Sequence, residues 1–418
     1  MTTLTLLAAV LLLLLTVSHA VTVAAFWCYL GRGVRRAESP WRPPVAVVLP
    51  LRGRDPFLAA TLAGLFDQDY PDYTVHVIVD SDQDPVWEDL RPWLAKTLPS
   101  RLCVQLLEHP GESCSLKAGS VVQVVERLAP RFEVLAFLDA DVTPHATWLR
   151  ELVAPLGDGT VAAVTGQRWY AVTSAEWGTL TRFVWNVGAV AQIWLNGIVW
   201  AGSLALRRQT IDEIGLVEAW RRAFSDDGVA TRELRRCRRR VCLVPQLLML
   251  NREGISLAGF FRWLQRQLLS TRHSGPVWYI VAGHAVNLVA THVLAASAIV
   301  AALAAHDRAA SLALAALWGL YWVSSLIAVV AIDRRVCRIL GSQGRDVPRP
   351  APGTALRLLP GIVLAHVLSP LAVALIRFRR RVSWRGIEYE ILDAERTRRL
   401  GYAPFCGPPA ASTTRSVL

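Results

Sequence analysis

Apolar residues in this chain fall into two kinds of run. Four are long: Leu4 to Leu30, Val277 to Ala304, Ala309 to Ile332 and Ala355 to Ile376. Each reaches the ~20 residues that a helix needs to cross the hydrocarbon of a bilayer. Between Pro43 and about 275 the runs are short. Strands are predicted from Val45 to Leu49, Val75 to Val79, Val104 to Leu107 and Val134 to Leu138, with helices reaching Phe66 and covering Lys117 to Leu128. Polar and turn residues gather just past these strands, at 52–56, 80–85 and 139–141. Strands alternating with helices, with polar residues at the strand ends, predict an α/β class fold, an open sheet with its ligand crevice along that edge.

This pattern divides the chain into an N-terminal transmembrane anchor (1–31), an α/β domain (42–275), a C-terminal transmembrane region (276–378) and a basic tail (379–418). The stretch 183–206 is apolar and rich in tryptophan (Trp185, Trp194, Trp200) but broken by Asn186, Asn196 and Gly197. Its place between two parts of one site predicts a helix lying at the membrane interface or at the acceptor mouth rather than a span.

The charge pattern supports the membrane reading. The net charge is +12, but the basic residues concentrate beside the long apolar runs: Arg32, Arg35, Arg36; Arg334, Arg335, Arg338; Arg377, Arg379, Arg380, Arg381. Cytoplasmic flanks of membrane helices carry charge in this way, and nucleic-acid binding is not indicated. No Lys or Arg precedes the first run and several follow it. That asymmetry favours an uncleaved anchor, N-terminus outside and α/β domain in the cytoplasm, over a signal peptide cleaved near Ser18-His19-Ala20. The run 355–376 contains Pro360 and Pro370 and is basic on both flanks, which conflicts with a simple crossing. Either it is kinked or re-entrant, or the count of spans is off by one. Seven scattered cysteines with no CxxC pair argue against a disulfide framework and a zinc site.

Candidate chemistry lies at the strand ends. Asp139-Ala140-Asp141 closes an apolar run, and an aspartate pair so placed can hold Mg²⁺ or Mn²⁺ against a diphosphate while water and substrate complete the coordination. Asp80, Asp82 and Asp84 form either a nucleoside-binding loop or an acidic turn. Lys117 opens a helix, where a cation and free N–H groups can face a phosphate, or is a solvated lysine. Asp226-Asp227 precedes a helical pattern and offers either a general base or an N-cap. Arg262 and Trp263 share a helix with Phe260, Phe261 and Leu264. They can serve a departing diphosphate and a sugar, or belong to a membrane-surface helix with a snorkelling arginine.

Together these residues resemble the membrane-bound family 2-like glycosyltransferases of GT-A fold, most closely the ceramide glucosyltransferase family. The strongest stretch is PLRGRDPFLAATLAGLFDQDYPDYTVHVIVDSDQDP at 50–85. The likeness continues through Lys117, Asp139, Ala201-Gly202-Ser203, Asp226-Asp227, Arg262-Trp263 and a late Ser383-Trp384-Arg385-Gly386-Ile387-Glu388-Tyr389. It implies a UDP-sugar donor contacted by the 80–84 loop, Lys117 and Asp139, and a divalent metal, Mn²⁺ or Mg²⁺, at Asp139 and Asp141. It also implies a catalytic base at Asp227, with Arg262 and Trp263 completing the site. The expected reaction moves a sugar, glucose by resemblance, to the hydroxyl of a membrane lipid such as ceramide, with inversion. Diacylglycerol, a hopanoid or a polyprenyl phosphate are other acceptors, and a polysaccharide synthase or a non-catalytic membrane scaffold are rival readings. The chain departs from the pattern at Gly259, where the family has Gln or Arg three residues before the Arg-Trp pair. Gln265, Arg266 and Gln267 follow the pair instead.

Overall fold

The computed structural model describes residues 3–32, 39–97, 100–272, 275–348, 353–393 and 395–405. Helix α1 (Thr3–Arg32) leads into a seven-stranded sheet: β1 (Val45–Leu51), β2 (Tyr73–Val79), β3 (Leu102–Leu106), β4 (Val134–Leu138), β5 (Val161–Tyr170), β6 (Ser203–Arg207) and β7 (Arg240–Asn251). The strand order is β3-β2-β1-β4-β6-β5-β7. The first four strands are parallel, β6 runs antiparallel to β4 and β5, and β7 is parallel to β5. Helices α2 (Leu58–Phe66), α3 (Val86–Lys96), α4 (Leu116–Arg127) and α5 (Trp148–Val153) follow β1 to β4 in turn. Helix α6 (Trp177–Asn196) joins β5 to β6; α7 (Arg208–Glu213), α8 (Leu216–Trp220) and α9 (Asp226–Arg236) join β6 to β7.

Strand β1 shows why its residues are continuously apolar rather than alternating. Ala46 and Val48 pack with Val121, Val125, Trp220 and Leu234 on one face, while Val45, Val47 and Leu49 meet Leu58, Leu62, Leu90 and Trp148 on the other. A sheet covered on both faces buries both side-chain sets. This is the mixed α/β, Rossmann-like sheet that the alternation of strands and helices implied.

The apolar stretch 183–206 belongs to two elements instead of one interfacial helix. Helix α6 ends at Asn196, Gly197 takes a left-handed conformation (φ 58°) as its cap, and Ser203–Arg207 is a central strand. Both pieces are apolar because both are packed. Helix α6 buries Leu180, Phe183, Val184, Val187 and Val190, and β6 lies between β4 and β5.

After β7, α10 (Leu257–Thr271) leads to α11 (Pro276–Ala304), α12 (Arg308–Ser342) and α13 (Thr354–Ile376). Helices α1, α11, α12 and α13 are long and apolar enough to cross a membrane. Their packing gives them direction. Ala8 and Leu12 of α1 meet Ala298, Ala302, Ala310 and Leu314 at the α11–α12 turn. The other ends of α1 and α12 reach the sheet domain, where Phe26, Leu30, Ile339 and Leu340 pack with Leu243 and Leu248 of β7. Helix α13 differs from the other three because both its ends touch the sheet domain. Arg357 near its start donates to the Ala175 carbonyl at 3.1 Å. At its end, Arg272 donates to the carbonyls of Ile376 (3.3 Å) and Arg379 (2.9 Å), and Arg379 donates to Gln265 at 2.9 Å. A helix with both ends at the sheet domain is compatible with basic residues on both flanks, which removes the charge conflict in the sequence. Arg35 and Arg36 lie outside the described residues.

The tail is a second, antiparallel sheet of β8 (Arg381–Trp384), β9 (Ile387–Ile391) and β10 (Thr397–Arg399). Arg385 and Gly386 form the two-residue turn between β8 and β9, both at positive φ (47° and 79°), as a primed hairpin turn requires. Behind it, Tyr389 is buried with its ring 5.4 Å from Phe224 and its hydroxyl accepting from the Leu116 amide at 3.3 Å. The basic run 379–381 thus opens a docked sheet and not a free tail; residues 406–418 lie outside the described residues. Truncating so large a buried ring costs about 3–5 kcal/mol. Tyr389→Ala is therefore expected to lower the melting temperature of the detergent-solubilised protein by several degrees, with Tyr389→Phe much nearer to wild type.

Candidate active site

The strand ends of β1, β2 and β4 open on a cleft of about 1010 Å³ that continues from the sheet into helices α6, α10, α11 and α13. Ser115 caps α4 by accepting from the Ala118 amide at 3.1 Å, which sets Lys117 in the first turn. Its ammonium is 2.8 Å from Asp139 at the end of β4 and 3.1 Å from Asp226 at the start of α9. Arg168 of β5 approaches the same aspartates from the other side, 2.7 Å from Asp141 and 3.4 Å from Asp139, with its guanidinium over the Trp200 ring.

The electrostatics follow from burial of like and unlike charges together. Burial opposes ionisation of Asp139, but Lys117 and Arg168 outweigh it and hold the carboxyl below its ordinary range. Asp141 is raised, because desolvation and the neighbouring Asp139 and Asp55 outweigh the pull of Arg168 and Arg385. Asp226 is pushed up to about 6 by burial and by its acidic neighbours Asp227 and Asp139, against the pull of Lys117. For Lys117 and Arg168 the surrounding carboxylates overcome burial and raise both pKa values. One oxygen of Asp226 (Oδ2) is buried with no hydrogen bond, although it faces Lys117.

The Asp226-Asp227 pair is not the helix cap. Ser225 takes that role, accepting from the Gly228 amide at 3.1 Å. Asp227 is half-buried and lines the cleft; its Oδ1 is held by the Gly228 amide at 2.7 Å and by the Ser225 hydroxyl.

Among the three loop aspartates only Asp80 lines the cleft. It is buried and paired with Arg52, and its Oδ1 has no hydrogen-bond partner. Asp84 is structural, accepting from the amides of Gly53 (2.8 Å) and Val86 (2.9 Å). Asp82 is exposed.

Trp263 lines the cleft, edge-on to Tyr170 at 5.6 Å and Trp185 at 5.3 Å. Arg262 is exposed and the structure does not bring it to the cleft. The arginine of α10 that lines the cleft is Arg266, one turn later, its pKa lowered by burial. Arg385 from the β8–β9 turn also lines the cleft and binds Asp55 at 2.9 Å and the Arg52 carbonyl at 3.0 Å. Nothing in the sequence marks Arg168. Arg385 does sit in the late Ser-Trp-Arg-Gly motif, which points to a role without saying where.

Among the described residues no three His, Cys, Asp or Glu side chains converge as a metal site. The donor set offered by Asp139 and Asp141 is nevertheless of the hard-oxygen kind that suits Mg²⁺ or Mn²⁺ when a diphosphate and water supply the remaining ligands. The residues fit such an ion as a partial site.

A Rossmann-like sheet with paired aspartates at a strand end, facing buried arginine and lysine, is the framework of a glycosyltransferase. The chain belongs to glycosyl transferase family 21, whose family model matches residues 5–397. No curated protein matches it. Among solved structures it is similar to the mannosyltransferase PcManGT from Pyrobaculum calidifontis, in complex with GDP-Man and Mn²⁺. That likeness has 18% identity over 88% of this chain and 98% of that one, with a TM-score of 0.46. It is also similar to glucosyl-3-phosphoglycerate synthase from Mycobacterium tuberculosis, in complex with Mn²⁺, UDP-glucose and phosphoglyceric acid. There the identity is 15%, over 58% of this chain and 84% of that one, with a TM-score of 0.36.

Two outcomes test the charge arrangement. Asp226, with its pKa raised from 3.8 to about 6, contributes stability that is complete below its unfolded pKa and is lost as pH rises through about 6. Asp226→Asn should therefore gain in melting temperature relative to wild type between pH 4 and pH 7. Removing one partner of a buried ion pair costs about 3–5 kcal/mol. Lys117→Met should accordingly be strongly destabilised, and adding Asp226→Asn should recover part of the loss in the same melting experiment.

Proposed function

We propose that this protein transfers glucose from UDP-glucose to the hydroxyl of a ceramide-type membrane lipid, with inversion at the anomeric carbon. One observation carries this reading: a single cleft is lined by Asp80, Asp139, Asp141 and Asp227 at the sheet and by α11 and α13 at the membrane helices. A two-tailed lipid cannot leave the bilayer cheaply, so its hydroxyl must be met where the sheet and the membrane adjoin.

In this reading Asp80 receives the uridine, and Arg266 and Lys117 face the diphosphate. Asp139 and Asp141 hold the divalent ion, which supplies charge neutralisation to the departing diphosphate when bound. Asp227 is the base. Its Oδ1 is anchored by Gly228 and Ser225, which leaves Oδ2 to take the proton of the lipid hydroxyl as its oxygen attacks. The sugar sits against Trp263, whose orientation is set by Tyr170 and Trp185. Helices α1, α11 and α12 cross the bilayer, and α13, with both ends at the sheet domain, stays on the sheet side. The arginines at 334, 335, 338, 377 and 379–381 support a cytoplasmic position for that side.

The test is transfer from labelled UDP-glucose into ceramide with Mn²⁺ or Mg²⁺. Loss of a positioned base costs about 10²–10⁴ in rate, so Asp227→Asn should lose at least a hundredfold in kcat while binding UDP-glucose as wild type does. The same assay separates the two arginines of α10: Arg266→Ala is expected to lower kcat at least tenfold more than Arg262→Ala. Absence of labelled glycolipid from wild type with ceramide, diacylglycerol and mixed lipid extracts would refute the reading.

A further inference from the structure

The end of the cleft at Asp80 has a wall that the main sheet does not supply. After β10 the chain runs on without regular structure, and residues 400–405 form a strap beside the loop that follows β1. Backbone acceptors tie this strap down. Arg399, the last residue of β10, donates through its amide to the Glu112 carbonyl at 2.7 Å and through its guanidinium to the Pro110 carbonyl at 2.9 Å. The Tyr402 hydroxyl donates to the Asp80 carbonyl at 3.3 Å, and Arg52 donates to the Ala403 carbonyl at 2.9 Å.

These bonds bring Phe405 into the lining of the cleft. Its ring lies against Gly53, where a Cβ would come within 2.6 Å of it, so the ring approaches as closely as a bare backbone allows. The Arg52 guanidinium, paired with Asp80, is 5.6 Å from the Phe405 ring and 5.9 Å from the Tyr402 ring. Arg52 thus links the strap to the aspartate.

The chemistry at this end is narrow. Pro50 and Leu51 line the cleft just before Arg52, and the Asp80 amide donates to the Leu51 carbonyl at 3.2 Å. The Asp80 side chain is only 2% exposed, yet its Oδ1 accepts no hydrogen bond. A buried acceptor left open is costly unless a ligand supplies the donor. Apolar residues, an aromatic ring and one open acceptor suit a flat ring with a single N–H. Uracil in a nucleotide is such a ring, since its N1 is joined to ribose and only N3 carries a hydrogen. Ribose and phosphate would gain little from an aromatic wall.

We infer that the strap forms the outer wall of a uracil subsite, with Phe405 packed on the base and Tyr402 and Arg52 as positioning residues. This rests on the UDP-sugar reading above and deepens it. The main sheet contributes the acceptor for the base, and a segment beyond the last long apolar helix contributes the aromatic surface, a contact that is sequence-tolerant in general but here sits beside one specific acceptor.

The experiment titrates the detergent-solubilised full chain, with Mn²⁺ present and no acceptor lipid, with UDP and with ribose 5-diphosphate. The second ligand keeps the ribose and both phosphates but has no base. Wild type should bind UDP at least tenfold more tightly. Phe405→Ala should weaken UDP about tenfold, within the range for losing one base–aromatic contact, and ribose 5-diphosphate less than twofold. Phe405→Tyr, which keeps the ring, should stay near wild type for both. Tyr402→Ala, which loosens the strap and leaves Phe405 in the chain, should weaken UDP severalfold and again spare ribose 5-diphosphate. The spared ligand also shows that each variant is folded. Unchanged UDP affinity in Phe405→Ala, equal losses for the two ligands, or tighter UDP binding once the ring is gone would overturn the inference alone. Wild type that binds no UDP would overturn the donor reading with it.

Discussion

The site depends on one half-buried ammonium. Lys117 stands between Asp139 and Asp226, residues from a strand end and a helix start that are distant in sequence and carry the same charge. Without a cation between them these carboxylates would repel each other in a setting that solvates neither. With it, β4 and α9 are drawn to one point, and Asp227, the next residue along, faces the same cleft. Arg168 does the same from β5 for Asp141. The charges are not fully balanced, since Asp226 and Asp141 both resist ionisation. A cleft so prepared gains from a ligand that brings its own cation.

The second constraint is the platform on which sheet and membrane helices meet. Helix α6 packs through Leu180 and Val184 near Gly361 of α13, and α10 packs Trp263, Leu264 and Leu268 with Ala372 and Ile376. Gly178 fits this junction because a Cβ there would lie 2.2 Å from the Ser256 backbone. Since Trp263 and Arg266 lie on α10, the wall of the cleft and the docking of the membrane helices are parts of the same helix.

Much of this was legible in the sequence, for physical reasons that differ by element. Strands β1 and β4 are apolar throughout and β2 nearly so, because both faces are covered, and such runs stand out beside polar loops. Asp139, Lys117 and Asp226-Asp227 sit at strand or helix ends, where the pattern changes character. The loop aspartates were less separable: Asp80, Asp82 and Asp84 alternate by two, and only the pairing of Asp80 with Arg52 and the amide bonds to Asp84 distinguish them. Arg262 and Arg266 are four residues apart and share nearly one helix face, so periodicity cannot choose between them. What separates them is one turn of axial position, about 6 Å at 1.5 Å per residue. Arg168 and the docking of β8–β10 depend on contacts across the chain, which no local pattern encodes. The stretch 183–206 misled because a half-buried helix and a central strand are equally apolar.

The docked C-terminal sheet has a consequence for how the protein is made. Arg385 reaches Arg52 and Asp55 across 333 and 330 residues of chain, and Tyr389 supports the start of the helix that bears Lys117. A nascent chain that has emerged through β7 has every strand of the main sheet but lacks this wall of the cleft. The wall arrives only after α11, α12 and α13 have been synthesised, and it can dock only once α13 lies with both its ends against the sheet domain. Completion of the cleft therefore waits on the packing of the C-terminal helices.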